Sequence, residues 1–207
     1  MRLKAAPGLK LIETLGWDGA ALVRLPAHLV RIEAAAVQLG WVCRSAELRD
    51  ALLAAAPTGP ARLRLTLDAT GNHEVEIAPM PPGMPLWRLA LANQRLFSAD
   101  PWLRLKSTHR PAYDAARAAL PDGADEVIFI NQRDEVCDGS ITTLFFDRGD
   151  GLRTPPQTCG LLPGVLRAAM LACGQCREEV LLARDLAHVR LWVGNSLRGL
   201  AQATWLG

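Results

Sequence analysis

Leu-Arg-Leu-Lys-Ser-Thr-His-Arg, residues 103–110, is the stretch on which the reading of this chain turns, because three others follow it in order. They are Val-Cys-Asp-Gly-Ser-Ile-Thr-Thr-Leu-Phe (136–145), Gly-Leu-Leu-Pro-Gly-Val-Leu-Arg (160–167) and Val-Gly-Asn-Ser-Leu-Arg-Gly-Leu (193–200). In sequence order they offer an amine, a carboxylate beside a strand, a Pro-Gly helix start and a polar turn. Lysine is scarce here: the other two are Lys4 and Lys10, and the remaining basic residues are arginine. A lysine kept in mid-chain is therefore a pointer to chemistry.

Outward from these segments the chain reads as mixed. Residues 9–15 and 20–23 are expected to be two strands joined at Asp18-Gly19. Apolar residues at 29, 32, 36 and 39 have helical spacing, and Gly40 is a natural stop. Residues 45–56 read as a second helix capped by Ser45. Arg62 to Asp68 alternates polar and apolar, and His73 to Ala78 returns as its neighbour. Residues 86–92 can form one more strand. Ser98-Ala-Asp-Pro101 looks like a linker. The expected division is an N-terminal α/β domain over 1–97, a linker over 98–104 and a C-terminal domain over 105–207. In the second half, Pro111 to Leu120 is a helix with proline in its first turn. Glu126 to Asn131 is a buried strand, and Ile141 to Asp147 is another. Leu162-Pro163-Gly164 opens a helix running to about Ala172. Strands over 178–182 and 189–193 and a last one over 202–206 complete the chain. Many strands joined by hairpins favour α+β over a doubly wound parallel sheet.

Composition narrows the function classes. The net charge of +2, from 23 basic and 21 acidic residues, comes with no long basic run, so nucleic acid is not implied. The apolar runs are too short and interrupted to span a membrane. The start, Met-Arg-Leu-Lys-Ala-Ala-Pro-Gly, lacks the apolar core of a signal peptide, and a cytoplasmic location is expected. Cys173 and Cys176 form a CxxC, but a zinc site needs four ligands and no second pair exists. No metal is expected, and the two are read as buried thiols near a helix end. GxSxG, P-loop and HExxH motifs are all missing.

The four segments match what pyridoxal 5'-phosphate (PLP) demands of a protein. Lys106 can form the covalent link, Asp138 can pair with the pyridine nitrogen, and a phosphate needs donors. Those donors are the amides of Val165 and Leu166 behind Gly164, together with Asn195 and Ser196. Each residue alone has a plain structural reading: a surface lysine, a turn aspartate, an ordinary helix start, turn polar residues. Arg31, three residues after His28, is a further phosphate candidate, and His28 is read as structural. Thr14 and Glu13, at the end of the first strand, are expected to line the same pocket. Tyr113 can reach the cleft or simply pack in its helix, and packing is the preferred reading.

This set resembles the class IV aminotransferase family, the fold-type IV PLP enzymes, which includes branched-chain and D-amino-acid aminotransferases and 4-amino-4-deoxychorismate lyase. The resemblance runs from Ile12-Glu13-Thr14 and His28-Leu29-Val30-Arg31 through Lys106 to Gly194-Asn195-Ser196. It implies a two-domain D-amino-acid-aminotransferase-like fold, with a small N-terminal α/β domain and a β-rich pseudo-barrel. It also implies a homodimer, an amino-acid-like small-molecule substrate, Lys106 as Schiff-base lysine and Arg31 as phosphate ligand. Asp138 stands where the family usually has glutamate, one carbon–carbon bond (about 1.5 Å) shorter. Leu-Lys-Ser-Thr-His-Arg with Gly-Asn-Ser-Leu-Arg is more similar to the lyase side of the family than to the branched-chain side. The resemblance thus implies conversion of 4-amino-4-deoxychorismate to 4-aminobenzoate and pyruvate in folate synthesis. Arg198 is then a candidate clamp for a substrate carboxylate. An amino-acid aminotransferase is the runner-up, and a non-catalytic relative is a third reading.

Overall fold

The computed structural model describes residue 3 and residues 5–207, which divide into two compact units. The first takes the chain to Pro82 together with Leu105–His109; the second is Gly83–Arg104 with Arg110–Gly207. This division differs from the linker expected at 98–104. The strand after residue 85 hydrogen-bonds into the second unit's sheet, whereas the lysine segment returns to the first.

The first unit is a three-stranded antiparallel sheet carrying two helices. Its strands are β1 (Leu11–Trp17), β2 (Ala61–Leu67) and β3 (His73–Pro79), in that spatial order. Strand alternation puts Leu11, Glu13 and Leu15 on one face, directly across from Leu67, Leu65 and Leu63. All six are buried, because this face lies under α1 (Leu25–Leu39) and above no solvent. Helix α1 buries His28, Ile32, Ala35, Ala36 and Leu39 and ends at Gly40, whose φ of 72° favours glycine. α2 spans Ser45–Ala54, but its N-cap is Arg44, and the Ser45 hydroxyl bonds Glu33 on α1 instead. The expected second strand at 20–23 shrinks to one bridge between Trp17 and Leu22. Asp18 accepts from the amides of Ala20 and Ala21 and tightens the turn there.

Residues 105–109 run antiparallel beside the free edge of β1. Ile12 N–H donates to the Lys106 carbonyl at 2.8 Å, Thr108 N–H donates to the Lys10 carbonyl at 2.9 Å, and Leu11 bridges Ser107. Lys106 thus sits across from Ile12, one residue out of phase with the buried Leu11–Ser107 pair.

The second unit is an eight-stranded sheet. Its strands are β4 (Leu86–Leu91), β5 (Glu126–Ile130), β6 (Val136–Gly139), β7 (Thr143–Asp147), β8 (Leu152–Thr154), β9 (Arg177–Glu178), β10 (Arg190–Asn195) and β11 (Gly199–Trp205). The spatial order is β6-β5-β4-β11-β10-β7-β8-β9. β6 and β7 lie five strand steps apart in that order, about 24 Å on a flat sheet. Residues 140–142 alone join them, and the four links from Gly139 to Thr143 reach at most about 14 Å. The sheet must therefore curl until its edge meets its middle, and Gly139 N–H does bond the Thr142 carbonyl at 2.8 Å. Both faces are covered, which is why Glu-Val-Ile-Phe-Ile in β5 is buried throughout. Ile128 and Ile130 join Leu89, Leu144, Phe146 and Val193 on one side. Val127 and Phe129 join Leu103, Cys137, Cys159 and Leu161 on the other, with Tyr113 of α3 (Pro111–Ala118) against them. Helix α4 (Val165–Ala172) packs Leu166 and Met170 on Phe145 and Cys176. Of the CxxC, Cys176 is buried as expected, but Cys173 caps the end of α4 and is exposed. No helix is long and apolar enough to cross a membrane, and no group of His, Cys, Asp or Glu could hold a metal, among the described residues.

Candidate active site

In the first unit the polar centre is Glu13. Its carboxylate is 1% exposed and is gripped from α1. Arg31 Nε donates to Oε1 at 2.8 Å and Nη2 to Oε2 at 2.5 Å, and His28 Nδ1 lies 2.6 Å from Oε2. Burial alone would raise the Glu13 pKa; the Arg31 guanidinium and the hydrogen bonds from Arg31 and His28 outweigh it and bring the carboxyl down to about 2. Arg31 is thereby fixed at one end by a buried partner. His28 is buried on the inner face of α1 rather than on the helix surface. The expectation that Thr14 and Glu13 share a pocket is corrected. Both lie in the middle of β1, and neighbouring residues of a strand point to opposite faces. Glu13 faces α1, while Thr14 lies on the other face, the one carrying Ile12 and therefore its partner Lys106.

The second unit gathers the remaining residues around the β6–β7 seam. Asp138, in β6, is 4% exposed. Its Oδ2 accepts the Leu162 N–H at 3.2 Å and its Oδ1 the Tyr113 hydroxyl at 3.3 Å. Burial pushes its pKa up to about 7, against the opposing pull of those two donors and of Arg110; the nearby Glu126 adds to the rise. A carboxylate has about four acceptor positions, so each oxygen of Asp138 keeps room for one more donor. A cationic ring N–H is the chemistry that such a carboxylate would hold.

Asp138 is tied through Leu162 to the segment that opens α4. Gly164 is the N-cap and makes no side-chain cap bond, so the amides of Val165 and Leu166 have no acceptor inside the helix. A Cβ on Gly164 would stand 2.7 Å from Thr143 Oγ1. Thr143 in turn sits across from Gly194 in β10, where a Cβ would stand 2.5 Å from the Gly199 carbonyl and 2.8 Å from a Leu166 methyl. Two glycines thus let the α4 N-terminus and the β10–β11 turn close on one threonine. The result is a cradle of amide donors suited to an anion. In the turn, Asn195 Oδ1 accepts from the amides of Leu197 and Arg198, and Asn195 Nδ2 donates to the Ile141 carbonyl at 3.1 Å. Its side chain shapes the turn, and Ser196 is buried beside it. Arg198 stacks its guanidinium 5.5 Å from the centre of the Trp87 ring.

One residue escaped the reading of the sequence, and a second does more than pack. Tyr113 does pack, edge-on to Phe129 at 4.9 Å, but it also reaches Asp138. Glu126 is fully buried and accepts from Ser140 N–H and Oγ, Ile141 N–H and Thr142 Oγ1. An acid heading an otherwise apolar strand was the available signal, since buried carboxylates are seldom without partners.

Residues 10–205 match the family model described as amino-transferase class IV. A Schizosaccharomyces pombe protein named "Putative aminodeoxychorismate lyase" is 29% identical over 176 residues, covering 82% of this chain and 76% of its own length. The crystal structure of a "Putative amino-acid aminotransferase" from Mesorhizobium loti is 41% identical with a TM-score of 0.88, covering 96% of this chain and 100% of the other. A PLP-bound "hypothetical aminotransferase" from Mycobacterium tuberculosis, 23% identical with a TM-score of 0.80, covers 96% of this chain and 81% of the other and shares the fold. By the match to the family model, which spans nearly the whole chain, the protein belongs to the class IV aminotransferase family of PLP-dependent enzymes.

Proposed function

We infer that the protein is a lyase that splits 4-amino-4-deoxychorismate into 4-aminobenzoate and pyruvate, and that it works as a cytoplasmic homodimer in folate synthesis. The cofactor assignment is carried by Asp138, a buried carboxylate with acceptor capacity to spare, next to the uncapped start of α4. The choice of a lyase is supported by the likeness to the Schizosaccharomyces pombe protein and by the segments around Lys106 and Asn195.

PLP, when bound, supplies an electron-withdrawing ring next to the substrate's amine. Lys106 is the residue that links to it. Asp138 keeps a proton on the ring nitrogen. Arg31, the amides of Val165 and Leu166 behind Gly164, and Ser196 take the phosphate, with Asn195 holding the turn that carries Ser196. The Lys106 amine takes the proton from the substrate carbon that bears nitrogen and delivers a proton to the methylene carbon of the departing enolpyruvyl group. The ring carbon–oxygen bond breaks, the ring becomes aromatic, and pyruvate leaves with no other reactant consumed. Arg198 meets a substrate carboxylate, and Thr14 lines the substrate's approach.

The 41% identity to the Mesorhizobium loti protein favours a second reading, amino-acid transamination. One assay separates them. Purified protein with PLP and 4-amino-4-deoxychorismate should release pyruvate without any 2-oxo acid acceptor. Amine transfer to 2-oxoglutarate with no such release would replace the lyase by the aminotransferase. Light scattering tests the dimer.

A further inference from the structure

Tyr113 is the chain's single tyrosine. It lies in the first turn of α3, and three contacts fix it. Its ring meets Phe129 of β5 edge-on at 4.9 Å and an interplanar angle of 67°. The Arg110 guanidinium covers it at 5.4 Å. Its hydroxyl donates to Asp138 Oδ1 at 3.3 Å. Arg110 is itself held at both ends, by Asp114 at 2.7 Å and by the Ser140 carbonyl at 2.9 Å. Asp138 therefore receives one donor on each oxygen from two separate elements: Tyr113 from α3 and the Leu162 amide from the approach to α4. One donor would leave the carboxylate free to turn about its χ2 bond, whose preference is broad; two donors on different oxygens fix its plane.

We propose that Tyr113 is a positioning residue for the cofactor: its hydroxyl sets the plane and the charge state of Asp138, so that this carboxylate presents a lone pair to the ring nitrogen. The proposal rests on PLP binding with its ring nitrogen at Asp138. The other charged groups facing Asp138 are Glu126 of β5, which disfavours its ionisation, and Arg110, which favours it. A phenol donating to a carboxylate stabilises the ionised form, so removing the hydroxyl must move the Asp138 titration to higher pH.

A single tyrosine makes the test site-specific without mutation. Protein carrying ring-labelled tyrosine gives one NMR resonance from Tyr113. That resonance should shift along the same pH curve as the Asp138 carboxyl and move again when PLP is added. In Tyr113→Phe, which keeps the ring against Phe129, the carboxyl should titrate at higher pH. PLP should dissociate about five-fold more readily, the worth of one ordinary hydrogen bond of about 1 kcal/mol. Tyr113 as mere packing is the outcome if PLP is held on Lys106 yet the tyrosine resonance follows neither the Asp138 titration nor cofactor loading; that result overturns the proposal and leaves the cofactor assignment standing. If the wild-type protein takes up no PLP, or Asp138→Asn leaves the bound ring nitrogen's NMR shift unchanged, the cofactor placement itself is wrong, and the proposal goes with it.

Discussion

At the scale of single residues, Lys106 and Asp138 face opposite demands. The Lys106 backbone pairs with β1 through its carbonyl, and that pairing does not depend on the identity of its side chain. Lys106→Ala should leave folding intact by circular dichroism, yet abolish the visible absorbance that PLP acquires on covalent attachment and stop turnover. Asp138 is different, because a buried carboxyl with a pKa near 7 is bought at the expense of stability. Its folded-state pKa lies above the ordinary 3.8, so the folded protein binds the proton more tightly than the unfolded chain. Stability from this group is full below about pH 4 and is lost as pH rises through 7. Asp138→Asn should therefore unfold at higher urea than wild type when PLP-free at pH 8, by up to about 4 kcal/mol, and show little difference near pH 4. The same variant should lose activity. A variant less stable at pH 8 than wild type would contradict the burial argument.

At the scale of elements, β1 and α1 are locked by Glu13, and the sign of its effect is reversed. Its carboxyl is depressed from 4.5 to about 2, so the stability it confers is complete above about pH 4.5 and is lost as pH falls towards 2. Glu13→Gln should destabilise the protein by about 3 kcal/mol at pH 6, with the gap closing near pH 2 in an acid-unfolding series. Its loss of PLP affinity should exceed that of an equally destabilised core variant if Arg31 takes the phosphate. Helix α4 offers a packing test. Gly164 has an ordinary φ of −63°, so alanine there is barred only by Thr143 Oγ1. Gly164→Ala should cost about 1–2 kcal/mol in thermal or urea unfolding, and adding Thr143→Ala should recover most of it. The recurrence of the full cost in the double variant would show that something other than Thr143 sets the fit.

At the scale of the molecule, the curled sheet depends on three residues, 140–142, and on one buried carboxylate. Glu126 collects the donors of that loop, and a Cβ on Gly139 would stand 2.9 Å from it. Removing the acceptor leaves several buried donors unsatisfied. Glu126→Ala should cost about 3 kcal/mol. That corresponds to a fall of roughly 6 to 12 °C in the melting midpoint for a chain of this size. Because Asp138 sits one residue before Gly139, PLP affinity should fall with it. Calorimetry and a PLP titration on the same variant check both.

What could be read along the chain was local. Alternation in 62–68, the helical spacing of 29, 32, 36 and 39, the Pro-Gly start of α4 and the order of the lysine, aspartate and asparagine segments each depend on residues a few positions apart. So the elements, the mixed class and most of the candidate site were legible there. The tertiary structure alone decided what rests on pairing distant stretches. It took β4 out of the first unit and returned 105–109 to it, through hydrogen bonds between segments dozens of residues apart. It turned Thr14 away from Glu13, because only the partner strand and the covering helix define which face is inside. It also joined Tyr113 to Asp138 and Glu126 to the loop at 140–142, since a sheet closing on itself brings together side chains with no sequence relation at all.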